Sequence, residues 1–191
     1  FAKFTGLLYC IVIKIFAISD LHLSSAQPKP MDIFGDGWTD YCSSIETDWK
    51  EKVSDDDIVL IPGDISWAMR LSDALPDLRL IGAMKGRKIL LRGNHDYWWN
   101  TIGKVRDALP EGTYAIQNDC VRFGDFLFCG SRGWTCPDKG ELEPEDKKIY
   151  LREAERLRLS FECMSKMRME GHKVVCLMHF PPFNVRREAS E

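Results

Sequence analysis

The chain has 191 residues, enough for one domain with its own core, and its 45% hydrophobic and 29% charged content is ordinary for a globular protein. A formal net charge of −3, from 26 basic and 29 acidic residues, leaves no electrostatic footprint for nucleic acid, so binding to DNA or RNA is not expected. Seven cysteines, an odd number with no Cys-x-x-Cys pair, argue against a disulfide framework or zinc knuckle and for reduced thiols in a cytoplasmic protein.

The first apolar run starts at Gly6, is broken by Lys14 and ends at Ser19-Asp20. It is too short and interrupted to span a bilayer and carries no convincing cleavage site, so no membrane association is expected. Residues 1–12 read as an N-terminal extension to a single domain. Residues 12–18, VIKIFAI, form a continuous β-branched run of the kind found in strands buried on both faces. Tyr41, Ile45, Trp49 and Val53 recur every fourth residue, which predicts an amphipathic helix over 40–53. A second buried strand follows at 57–62, a helix at 71–84 that contains Pro76, and a third strand at 88–91. This alternation predicts a βαβαβ unit with a parallel sheet, whose ligands bind outside the carboxyl ends of the strands.

After a short helix at 101–109 the pattern changes. Residues 113–118, 120–123 and 126–131 read as short strands, the last two joined by a Gly124-Asp125 turn, so a second, antiparallel element is expected. Leu151, Ala154, Leu157, Phe161, Met164 and Met167 stripe a long charged helix over 145–170, closed by Gly171. One more strand, 173–178, precedes His179.

Metal-competent side chains stand just past four of these strands: Asp20 and His22, Asp64, Asn94 and His95, and His179. Each has a structural explanation alone: a cap, an ordinary Pro-Gly-Asp turn, a tight turn, a loop histidine. Together, at successive strand ends, they point to a site. Carboxylate, imidazole and amide oxygen make a mixed donor set suited to manganese, iron or zinc rather than calcium. Asp64 could bridge two cations about 3.5–4 Å apart that hold a hydroxide and clamp a phosphoryl group. His95 could then give a proton to the leaving oxygen, with Asp96 orienting its ring. Trp98 could stack on a nucleobase, although packing is the commoner role of a Trp98-Trp99 pair. Arg132 could reach a phosphate or pair with an acid.

The motifs Asp20-Leu21-His22, Gly63-Asp64, Gly93-Asn94-His95-Asp96 and His179 resemble those of the calcineurin-like metallophosphoesterases. MKGRKILLRGNHDYWW (84–99) and SRGWTCP (131–137) are similar to a bacterial, poorly characterised branch of that family. The resemblance implies an α/β fold, a four-layer αββα sandwich of two mixed β-sheets flanked by helices. It implies two divalent transition-metal ions, manganese first and iron or zinc as alternatives. One is held by Asp20, His22 and Asp64, the other by Asp64, Asn94 and His179, with His95 assisting the leaving group or contacting the phosphate. The implied activity is hydrolysis of a phosphomonoester or phosphodiester, in a small phosphoester or nucleotide, by a metal-bound hydroxide. The rival readings are a nuclease of the same superfamily and a non-catalytic metal-binding scaffold. The family's final Gly-His-x-His motif has no match: His172 in EGHKV stands alone and reads as an exposed turn residue. A domain truncated at its C-terminus is therefore expected. Sequence leaves the oligomeric state open.

Overall fold

The β-branched runs of the first half assemble into the parallel sheet that their spacing predicts. The computed structural model describes residues 12–26, 28–137, 142–184 and 186–189. Strands β1 (Ile15–Ala17), β2 (Ile58–Ile61), β3 (Arg87–Leu90) and β4 (Thr113–Ala115) lie side by side in that order, each parallel to the next. Helices α1 (Tyr41–Lys52), α2 (Leu71–Ala83) and α3 (Ile102–Ala108) make the crossovers. The second sheet runs β5 (Cys120–Phe123), β6 (Phe126–Ser131), β7 (Lys173–Met178). A hairpin turn with Gly124 at φ 56° joins β5 to antiparallel β6, and α4 (Pro144–Met167) carries the chain over to β7, parallel to β6.

The period-2 geometry of a strand sorts the core into layers. Ile58 and Leu60 of β2 pack with Ile89, Phe128 and Leu177 between the two sheets. Val59 and Ile61 point the other way, onto Trp49 of α1 and Leu78 and Ile81 of α2. On the far side of the second sheet, Leu127 and Cys129 meet Met164 and Phe161 of α4. Each fully buried Leu, Ile or Phe contributes about 1.5–3 kcal/mol relative to exposure. The layer order is helices, sheet, sheet, helix, the expected αββα sandwich.

Three expectations change in detail. Residues 113–118 do not join the second sheet: β4 pairs with β3, Ile89 opposite Tyr114, because α3 returns the chain parallel to β3. The first sheet is parallel throughout, and only the second is mixed. Of the expected N-terminal extension, residues 1–11 lie outside the described residues, while Ile13 and Ile15 pack between the sheets. His172 is half-buried, its Nδ1 accepting the Met169 N–H at 3.1 Å, rather than exposed. No described helix is long and apolar enough to cross a membrane. The described cysteines are all free thiols.

Candidate metal centre

The carboxyl ends of β1, β2, β3 and β7 converge, and there the backbone is bent into conformations that side chains usually avoid. Asp20, His22 and Asp64 have φ of 58°, 47° and 52°, in the left-handed region. Such residues cost on the order of 1–3 kcal/mol each and persist only where surrounding structure imposes them. Here the imposing bonds continue the β1–β2 pairing: Asp20 N–H donates to Gly63 O at 3.1 Å, His22 N–H to Asp64 O at 3.0 Å and Leu23 N–H to Ile65 O at 3.0 Å. Glycine permits the closest approach. A Cβ on Gly93 would stand 2.1 Å from Asp64 Oδ1, and one on Gly63 would stand 2.7 Å from His179 Nδ1.

The side chains form a shell around a common point. Ligand atoms of Asp20, Asp64 and His179 all lie within 4.8 Å of one another. His22 Nε2 is 3.7 Å from Asp20 Oδ1 and 3.9 Å from Asp64 Oδ2, and His95 Nε2 is 4.0 Å from that same Asp64 oxygen. His179 Nε2 is 3.5 Å from Asp64 Oδ1. These separations are too long for hydrogen bonds and suit two donors that share an ion at about 2.0–2.2 Å.

His179 supplies a sharper test of fit. Its Nδ1 lies 3.1 Å from the Pro62 carbonyl oxygen, which can only accept, so Nδ1 carries the proton. In a ring protonated at Nδ1 alone, as a metal ligand must be, the Nε2 lone pair points toward Asn94 Oδ1, another acceptor, at 2.8 Å. Two acceptors this close repel unless a cation joins them, and a histidine anchored through its other nitrogen to a backbone carbonyl is the usual support of a metal ligand. Burial lowers the pKa of His22, which keeps that ring neutral and able to ligate, while Asp64 and Asp20 oppose the shift. The donors present fit divalent cations.

Asp96 does not orient the His95 ring, contrary to expectation. Its fully buried carboxylate accepts the backbone N–H of Gly93 (2.7 Å), Asp64 (2.9 Å), Ile65 (2.8 Å) and Ser66 (3.2 Å), and the Trp98 Nε1–H at 3.0 Å. Burial raises the pKa of this carboxyl, and the backbone donors oppose the rise. Asp96 is therefore a positioning residue that ties the loop after β2 to the loop after β3. Trp98 cannot stack on a base, being 0% exposed beneath the site. Arg132 is buried, with Nη2 donating to Glu153 Oε1 at 3.1 Å and its guanidinium over the Trp134 ring.

Sequence reasoning missed Trp67 and Tyr41. The Trp67 ring stacks on His22 at 4.7 Å between centroids and lies 4.9 Å from His95. Tyr41 Oη donates to the His22 carbonyl oxygen at 2.9 Å. The position of Trp67 three residues after Asp64 was the available signal, readable only once the loop after β2 is known to curl over the site.

Among solved structures, the chain is similar to the protein of unknown function AQ665 from Aquifex aeolicus, at 15% identity and a TM-score of 0.44, covering 87% of this chain and 90% of that one. No curated protein matches. The family model for calcineurin-like phosphoesterases matches residues 13–191, nearly the whole sandwich and all of the shell just described, and the chain belongs to that family.

Proposed function

We propose that the chain is a dinuclear metal-dependent phosphoesterase, with Asp20, His22 and Asp64 holding one cation and Asp64, Asn94 and His179 the other. The observation that carries this reading is the placement of Asp64: Oδ2 faces His22 and His95, while Oδ1 faces His179. One carboxylate thus looks toward two sets of donors, as a bridging ligand must. Bound cations supply a water of lowered pKa as nucleophile and positive charge for the phosphoryl oxygens. The donor types suit manganese first, with iron or zinc as alternatives.

The chain's own groups do the rest. His95, with 38% of its side chain exposed at the rim, holds a proton for the leaving oxygen. Trp67 and Tyr97 fix its ring, the first tilted at 4.9 Å and the second edge-on at 6.1 Å. Its backbone N–H donates to Asp64 Oδ1 at 2.8 Å, so the proton donor and the bridging acid are positioned by one bond. A small phosphoester or nucleotide is the proposed substrate, and the net charge of −3 weighs against a nuclease. Free thiols suit a reducing compartment, and we assign the protein to the cytoplasm.

The test is hydrolysis of bis(p-nitrophenyl) phosphate and p-nitrophenyl phosphate by chelator-stripped protein, with and without manganese. Manganese-dependent turnover that disappears in Asn94→Ala is expected. Metal binding without turnover would turn the reading to a scaffold.

A further inference from the structure

A second polar cluster occupies the same carboxyl edge, one strand over in each sheet. The metal shell follows β1, β2, β3 and β7; this cluster follows β3, β4 and β6. Arg92 comes from the loop after β3, Gln117 from the end of β4, Arg132 from the end of β6, and Glu153 and Arg156 from α4. Glu153, 1% exposed, receives Arg132 Nη2 at 3.1 Å and Arg156 Nη1 at 2.9 Å on one oxygen, Oε1, with Arg152 Nε 3.6 Å away.

Charge does not balance there. Glu153 accounts for Arg132 and Arg156 as an anchor of α4, but it leaves Arg92 without an ion pair among the described residues. Arg92 Nε and Arg132 Nε are both buried and without a hydrogen-bond partner. Asp96, four residues after Arg92, is committed to its five donors. Glu153 Oε2 is also buried without a partner, yet one carboxylate faces the guanidinium groups of Arg92, Arg132 and Arg156, of which only Arg132 is buried. That cationic excess favours an anion, and guanidinium forks match oxyanion geometry. Between these side chains is a cleft of about 10 Å³, room for roughly one water-sized group, such as one terminal oxygen of a larger anion.

We propose that this cleft binds an oxyanion, with one terminal oxygen entering among Arg92, Arg132 and Arg156, and that its natural occupant is a second phosphate or carboxylate on the phosphoester processed at the metal centre. The first half stands on the cleft alone; the second rests on the hydrolytic reading above. The two sites share their walls. Arg92 immediately precedes Gly93-Asn94, and the Arg132 carbonyl accepts the N–H of His179 at 3.2 Å and of Phe180 at 2.8 Å. The cleft therefore adjoins the loops that carry Asn94 and His179 to the metal centre. The substrate class is a phosphoester with an anionic group apart from the scissile one, such as a bisphosphate.

Calorimetric titration of the metal-loaded full chain with inorganic phosphate tests the site without requiring turnover. Wild type is expected to bind two phosphates per chain, one at the metals and one in the cleft, and Arg92→Gln or Arg156→Gln to bind one. Arg156, with a quarter of its side chain exposed, is the variant that keeps the test open if Arg92→Gln does not fold. Unchanged stoichiometry in the folded variants would overturn the anion site. For the substrate class, KM of Arg156→Gln for a sugar bisphosphate should rise at least tenfold more than for p-nitrophenyl phosphate; equal rises would overturn it. An inactive wild type that still binds the second phosphate would count against the hydrolytic reading, not the cleft.

Discussion

Two buried aspartates, 32 residues apart in sequence and joined through a backbone bond, divide the site into layers with opposite designs. Asp64, 3% exposed, accepts one backbone N–H, that of His95 on Oδ1 at 2.8 Å, and otherwise turns its two oxygens toward imidazole nitrogens at 3.5–4.0 Å, distances that leave room for something between them. Asp96, 0% exposed, turns both oxygens onto N–H donors at 2.7–3.2 Å, distances that leave none. Residue type and burial are the same. What differs is that Asp64 has one N–H donor and three imidazoles at ligand-sharing distance, whereas Asp96 is filled by five N–H donors. The upper layer is an open donor shell, and the lower layer is the closed clamp that makes the shell possible.

That contrast can be broken from either side. Asp64→Ala has the largest expected effect: hydrolysis falls on the order of 10²–10³-fold with the bridging acid gone, while the thermal unfolding midpoint measured without metal changes little. Asp96→Asn should show the reverse pattern. It turns an amide N–H toward the backbone donors and is expected to cost about 3 kcal/mol of stability in urea unfolding. Activity then falls because the shell loosens. Equal loss of stability in both variants would erase the distinction between layers.

Smaller changes sharpen it. Gly93→Ala sets a Cβ 2.1 Å from Asp64 Oδ1, an overpacking cost of about 1–3 kcal/mol that should weaken metal affinity in a manganese titration as well as stability. Tyr41→Phe removes the bond to the His22 carbonyl while keeping the ring. It should cost about 1 kcal/mol or less, with manganese affinity lowered about tenfold at most.

Much of this was legible in the sequence, for a physical reason. Strands buried on both faces must be apolar along their whole length, so IVLI announces itself, and polar residues directly past such strands stand at the ligand-binding edge. Asp20, His22, Asp64, Asn94, His95 and His179 could be placed at one edge on that ground. The role of Asp96 could not. A carboxylate beside a histidine in sequence suggests an orienting partner, and only the folded loops show that backbone amides surround it. The indole of Trp98 beneath the shell was hidden for the same reason: GNHDYWW divides between rim and core without a regular period, Tyr97 being 50% exposed and Trp98 0%. Strand 113–115 was assigned to the wrong sheet because three residues carry no signature of their partner. The arginine cluster was invisible as a group, since its members lie in three separate segments that only the αββα layering unites.

The most direct measurement is the number of manganese ions bound per chain by equilibrium dialysis of chelator-stripped protein, set beside Asp64→Ala. A carboxylate that faces two donor sets predicts two ions in the wild type and one or none in the variant. A single ion in the wild type, retained when Asp64 is removed, would contradict the bridge on which the account stands.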